Sequence, residues 1–445
     1  MEDQYPKILI FSQSFNTLSG GGITLTSLFS SWPKENVAVL SYPFMLAHIS
    51  DDHCATYYQI GTEELHWIFP FSLFKKKSKS GLVQRTPVKP PSHQAKGNSV
   101  RNIFSYGLLQ PFLEWIGLVH LLSGISISRR LNEWLKEYSP DIIYFQISNR
   151  ESIKFALDLV CHLKIPSVIH MMDDWPSTIS GRGIFKSYWQ KKIDGEFRQL
   201  LSKIDLHLSI CEDMSSEYQK RYGYNFISFH NTLDLTRWNL FTRKDLALNA
   251  GTKIILFSGR IGKGIERSLF ELAAAVDILR REGVPVSLHI QSPRNEHAIL
   301  DKLRTYESVK VNPPIAYDKI PELYSKADIL VLANDFSQEG IRFLKYSMPT
   351  KAPEYMISGT PVLVYASAET ALYRLFHENE CGHCVTMQSS QVLANAFKLL
   401  LEDLSYRSTL SRNAVAYATE HFDSRRVRPL FHNLLIKTAE KLGLQ

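Results

Sequence analysis

Short apolar, β-rich runs separated by helical stretches recur along this chain, and that alternation restricts its fold more than any other feature. Lys7–Phe11, Val37–Leu40, Asp141–Phe145, Ser167–Met171, Leu206–Ile210 and Phe226–His230 have the length of buried parallel strands, with helices predicted over 152–163 and 212–222. His230-Asn231-Thr232-Leu233-Asp234 breaks the pattern, and the polar stretch through Asn249 reads as an interdomain connection. A second series follows: Lys253–Ser258, a helix over Ile265–Glu282 with Leu269, Leu272, Val276 and Leu279 on one face, then Val286–Ile290, Val309–Val311, Ala327–Leu332 and Thr360–Tyr365. Helices close the chain from Ser390 onward. Such repetition predicts two doubly wound α/β domains, 1–235 and 236–420, with a final helix at 421–445 able to cross back to the first. Paired sheets of this kind place ligand in the cleft between them, at strand C-terminal ends.

Composition excludes other classes. Hydrophobic residues at 44% and charged residues at 21% describe a globular protein, and 445 residues exceed one ordinary core. Cys54, Cys161, Cys211, Cys381 and Cys384 are an odd, scattered set, which argues for a reducing compartment. Cys381-Gly382-His383-Cys384 has thiol-redox spacing, yet it reads as a turn entering a short strand and lacks the helix N-terminus such pairs need. The charged Met1–Lys7 and strand-like Lys7–Phe11 carry no signal-peptide pattern. Leu108–Ile127, the most membrane-like stretch, is interrupted by Gln110, Pro111, Glu114 and His120. The expectation is a cytoplasmic protein, or one lying on the inner membrane face without crossing it.

The net charge of +7 is unevenly placed. Leu65–Leu113 has no Asp or Glu but eight basic residues, flanked by Phe69, Phe71 and Phe74 before and by Phe104 and Tyr106 after. A basic insertion at about 70–104 with aromatic flanks fits docking on anionic lipid. A solvated, disordered insertion is the plainer reading of the same residues. Nucleic-acid binding is disfavoured, because the charge sits in one loop and no recognition module appears.

Three stretches carry chemistry. In Tyr346 to Val364, loop, short helix and strand follow one another, with Thr350 as N-cap, Pro353 in the first turn and Gly359 at the stop. Unpaired N–H groups beside Lys351 make an anion site, and Glu354 can accept hydrogen bonds from the two hydroxyls of a ribose. The bland alternative is an ordinary turn with a surface lysine and glutamate. Gly20-Gly21-Gly22 after the first strand would let backbone approach a phosphate, though it is neither a dinucleotide fingerprint nor a P-loop and can equally close a tight turn. Gly259-Arg260-Ile261-Gly262-Lys263-Gly264 supplies cations after a second-sheet strand.

The order of the glycine run, "FHNTLD", "FSGRIGKG" and "PTKAPEYMISGTPVLV" resembles glycosyltransferase family 4 over nearly the whole length. The resemblance implies the GT-B fold, two Rossmann-like domains facing across a cleft, and retaining transfer of a sugar from a nucleotide donor without a required metal. No cofactor is implied beyond the nucleoside-diphosphate sugar, which is substrate. Negative charge growing on the departing diphosphate would meet Arg260 and Lys263, with Arg267 as substitute, since the family spaces its Arg and Lys further apart. The likeness places His170 near the reacting sugar and leaves Asp173 as an acceptor contact; Asp173-Asp174 is assigned to no metal. Gly21, Gly22, Ile315, Tyr346, Ser347, Thr350, Lys351 and Glu354 fall to the donor, with Pro314-Ile315 at the nucleobase. One departure stands out: where the family often has a first glutamate before the one matching Glu354, this chain has Tyr346, a trait shared with members reading P-x-K-x-x-E-Y. The expected role is a hexosyltransferase acting on a glycan or lipid-linked acceptor in polysaccharide biosynthesis. The rivals are a GT-B nucleotide-sugar epimerase, which needs an acid/base pair not evident in the first half, and a non-catalytic nucleotide-sugar-binding protein.

Overall fold

The computed structural model describes residues 5–46, 49–69, 77–83, 113, 115–179, 183–262, 264–292 and 297–440. Most of the basic insertion, Lys263 and the end of the last segment thus lie outside the described residues.

The strands, in chain order, are β1 (Ile8–Phe11), β2 (Val37–Ser41), β3 (Thr56–Gln59), β4 (Leu65–Trp67), β5 (Gly81–Leu82), β6 (Ser123–Ile125), β7 (Ile142–Phe145), β8 (Ser167–Met171), β9 (Leu206–Ser209), β10 (Phe226–Ser228), β11 (Lys253–Ser258), β12 (Val286–Gln291), β13 (Val309–Val311), β14 (Ile329–Ala333), β15 (Val362–Tyr365) and β16 (His383–Val385). An eight-stranded sheet has the order β10-β9-β8-β7-β1-β2-β3-β5, parallel except for the β3–β5 edge. A six-stranded parallel sheet has the order β13-β12-β11-β14-β15-β16. Strands β1, β2, β7, β8, β14 and β15 are buried throughout, which explains their unbroken apolar reading: both faces of each sheet are covered by helices. A small antiparallel pair, β4–β6, sits apart from both.

In each sheet the strand order reverses about the first strand of its series. β1 lies between β2 and β7, and β11 between β12 and β14. The helices that follow these neighbours run on opposite faces, so a crevice opens at the carboxyl ends of β1–β7 and of β11–β14.

The two domains are tied by two crossings. Past β10 the chain leaves through a bridge between Leu233 and Asp423, and Arg243 then fastens the connector to the second domain through the Ser358 and Ala327 carbonyls. The Ser424–Glu440 helix returns to the first domain, where Phe431 and Leu435 enter the core beside Leu25, Phe29 and Tyr144. Phe431 is fully buried, with ring contacts at 5.2 Å to Phe29 and 5.3 Å to Phe229. Gly359 ends the Lys351–Ile357 helix at φ +72°, and a Cβ there would stand 2.5 Å from the Arg243 carbonyl oxygen, so only glycine fits.

Of the cysteines, none forms a disulfide; burial pushes the Cys381 and Cys384 thiols up to about 12, against the thiolate a redox pair requires. Among the described residues no helix is long and apolar enough to cross a membrane.

Phe431→Ala should cost about 3–5 kcal/mol by removing a ring that joins the last helix to the first-domain core. Urea unfolding read by first-domain tryptophan fluorescence should show the lowered midpoint; an unchanged midpoint would mean the returning helix is only laid on the surface.

Candidate active site

A cavity of about 580 Å³ occupies the crevice between the two sheets. The first domain contributes Thr17 to Gly21 after β1, with Met172 and Asp173 after β8. The second contributes Phe257 to Arg260 after β11, Leu332 to Asn334 at the end of β14, Pro314 and Ile315, and Ser347 to Lys351. Its size suits a nucleotide-sized ligand. Of the residues nominated by the sequence, Gly21, Asp173, Arg260, Ile315, Ser347, Thr350 and Lys351 are thus brought to one continuous space. Gly22, His170, Tyr346 and Glu354 do not line it, and Lys263 lies outside the described residues.

The glycine run forms the first turn of the Gly20–Leu28 helix. Asn16 and Ser19 build the turn: the Asn16 carboxamide oxygen accepts from the Ser19 N–H at 2.8 Å, and the Ser19 hydroxyl accepts from the Gly22 N–H at 3.1 Å. Gly20 and Gly21 edge the cavity. Gly22 serves packing instead, because a Cβ there would fall 2.3 Å from the Asn16 amide nitrogen.

Second-domain amides are less available than the sequence implied. Thr350 precedes the Lys351–Ile357 helix without a side-chain cap bond, and the Ala352 N–H already bonds the Pro349 carbonyl at 2.9 Å. The helix after Arg260 starts at Glu266, and its Glu266 and Ser268 N–H groups go to the Gly262 carbonyl and the Asp335 carboxylate. Positive charge therefore comes chiefly from side chains. Arg260 is exposed and lines the cavity. Lys351 lines it from the start of the Lys351–Ile357 helix, with its ammonium 3.1 Å from Glu354. Burial opposes the charge on Lys351, but the Glu354 carboxylate and the Tyr317 ring outweigh it and raise its pKa.

Glu354 departs from the open ribose acceptor that the sequence suggested. It is 0% exposed, one oxygen accepting from Tyr317 at 2.8 Å and the other from Lys351. Here it anchors the cation and the Tyr317 loop; a ligand hydroxyl would have to share those oxygens. Tyr317, which lines the cavity, was missed because no spacing in the sequence links it to Glu354.

His170 is likewise displaced from its expected place. It is wholly buried in β8, one ring nitrogen bonded to the Tyr144 hydroxyl and the other 3.2 Å from the Ser209 carbonyl oxygen, and it does not line the cavity. Tyr346 faces the first domain: its ring centre lies 6.0 Å from the Arg221 guanidinium, and its carbonyl accepts from Cys211. Arg221 is pinned by Asp174 at 2.8 Å, which accounts for that carboxylate structurally. Asp173 accepts from Ser347 at 2.8 Å across the cleft. Burial raises its pKa, opposed by the Ser347 hydroxyl and the Arg260 charge. Among the described residues no group of three or more His, Cys, Asp or Glu side chains is placed to hold a metal ion.

Residues 252–403 match the family described as glycosyl transferases group 1. No curated protein matches the sequence. Among solved structures, Anabaena Alr3699/HepE in complex with UDP and glucose is similar at 15% identity over 97% of this chain and 99% of its own, TM-score 0.61. Sucrose-phosphate synthase from Thermosynechococcus elongatus is also 15% identical, covering 96% and 97%, TM-score 0.59. WaaG, a glycosyltransferase involved in lipopolysaccharide biosynthesis, is 15% identical over 96% and 99%, TM-score 0.55. The fold is the GT-B arrangement that these likenesses share. The match to glycosyl transferases group 1, the family the motif order resembles, spans the second sheet and its helices, residues 252–403.

Burial holds His170 and His230 down to about 4. Between the ordinary value of 6.5 and that level the unfolded chain binds protons that the folded one refuses, so their contribution is complete above pH 6.5 and lost as pH falls toward 4. Each should contribute a slope of about 1.4 kcal/mol per pH unit in that window. Unfolding midpoints at several pH values should show a shallower dependence for His170→Gln and for His230→Gln; wild-type slopes in both variants would contradict the assignment.

Proposed function

We propose that the protein is a retaining hexosyltransferase that moves a sugar from a nucleoside-diphosphate sugar to a glycan or lipid-linked acceptor in polysaccharide biosynthesis. The observation that carries this reading is one cavity lying at both sheet reversal points with Arg260 and Lys351 on its walls. As the glycosidic bond to the donor phosphate breaks, negative charge collects on the diphosphate and the sugar becomes oxocarbenium-like. Arg260 and Lys351 are preorganised to meet that charge, Lys351 because Glu354 and Tyr317 hold it in place. Lys263 remains a proposed second cation of the Arg260 loop. The glycines at the start of the Gly20–Leu28 helix leave room for the transferring group on the first-domain side.

The donor loop from Tyr346 to Thr350 would hold the sugar through Ser347 and backbone groups, and Asp173 would accept a hydroxyl of the acceptor from the facing wall. HepE was solved with UDP and with glucose, which supports a nucleotide and a hexose for this site as well. The cations supply the charge stabilisation that a metal supplies elsewhere, consistent with metal-independent transfer. A cytoplasmic location at the inner membrane face, reached through the 70–104 stretch, fits a lipid-linked acceptor; of that stretch only 77–83 is described.

A panel of nucleotide sugars should contain one that raises the melting temperature and is consumed when acceptor is added. Arg260→Ala should lower kcat about a hundredfold while the fold is retained. Full turnover by Arg260→Ala, or no shift and no hydrolysis with any donor, would overturn the reading.

A further inference from the structure

Gln291 ends β12 and lines the part of the cavity that also holds Pro314 and Ile315. It is 4% exposed. Its amide nitrogen donates to the Pro313 carbonyl oxygen at 2.9 Å. Only the NH₂ end can meet a carbonyl, so this bond fixes the orientation of the side chain and leaves the oxygen as the unengaged end. That oxygen, Oε1, has no hydrogen-bond partner among the described residues and is shielded from solvent. A buried acceptor without a donor loses its hydration and receives nothing back. Leucine or methionine would fill the same volume but lose the Pro313 bond, which uses the nitrogen and leaves the oxygen without a structural role. The Gln291 carbonyl also accepts from the Gly259 N–H at 3.0 Å, which ties this strand end to the loop carrying Arg260.

We propose that Gln291 reads the nucleobase of the donor, its Oε1 accepting the ring N–H of a base packed against Pro314 and Ile315. The inference rests on the nucleotide-sugar reading of the cavity and names the class of base. Because its nitrogen is committed to Pro313, the side chain offers an acceptor and no donor. Uracil, thymine and guanine carry a ring N–H on their pairing edge and satisfy it. Cytosine and adenine put an unprotonated ring nitrogen at that position, lone pair against lone pair, and can donate to the oxygen only by shifting to present the exocyclic amine beside it.

Calorimetric titration of the full-length protein with UDP, GDP, CDP and ADP tests this, together with N3-methyluridine and N1-methylguanosine 5′-diphosphates. UDP or GDP should bind at least about tenfold more tightly than CDP and ADP, and methylation of the ring N–H should cost a similar factor. Gln291→Leu should narrow both ratios to within about threefold. A preference for CDP or ADP overturns the proposal, as does a Gln291→Leu variant that keeps the wild-type ratios. Should that variant not fold, equal binding of the methylated and parent diphosphates by the wild type overturns it. Tight but indiscriminate binding of every diphosphate removes this inference alone, whereas binding of none removes the nucleotide reading with it.

Discussion

A lysine held beside a cavity by a fully buried carboxylate is the interaction on which the rest of the site depends. Glu354 is shielded from water, and its charge is met by Lys351 and the Tyr317 hydroxyl, with the Tyr324 hydroxyl nearby. Breaking either partner would leave an under-compensated charge inside the second domain. Geometry does the rest: the helix that carries both residues is stopped by Gly359 and fed directly into β15, so the cation is fixed relative to the sheet. A rigidly placed cation costs no reorganisation when charge develops opposite it, which is the property a transferase needs from its leaving-group site.

Polar contacts join the opposite wall to this one beside an apolar cluster that includes Trp175 and Met348. Ser347 reaches Asp173, the Tyr346 carbonyl receives Cys211, Asn231 donates to the Thr350 carbonyl, and Arg374 pairs with Asp213 at 2.8 Å. Each involves the donor loop or a neighbouring helix. Tyr346, which stands where the family often has a glutamate, belongs to this set through Arg221. Its substitution is thereby tied to how the domains meet.

The sequence disclosed the fold through the feature that also builds it. Strands buried on both faces read as continuous apolar runs, so Lys253–Ser258 and Ser167–Met171 were located to the residue; the partly exposed edge strand Val309–Val311 and the Glu212–Tyr222 helix were located as well. Elements without that signature were overlooked. β3 is half-buried at its ends, and the Lys186–Leu201 helix is rich in lysine and glutamine with its apolar positions spread thinly. The cavity positions of Arg260 and Lys351 were legible because one follows a strand and the other opens a helix. Where the His170 and Glu354 side chains turn was not legible. Which way a side chain turns at a strand end depends on partners far off in sequence, Tyr144 and Ser209 for one and Tyr317 for the other.

The central claim is that the diphosphate of an activated sugar lies between Arg260 and Lys351, at the carboxyl ends of β11 and β14. A crystal structure of the protein soaked with a nucleoside diphosphate measures this directly. The account predicts phosphate oxygens within hydrogen-bond reach of the Arg260 guanidinium and the Lys351 ammonium, with Gly20 and Gly21 on the facing wall. Phosphates bound away from both cations, with the cavity between the sheets filled by solvent, would contradict it.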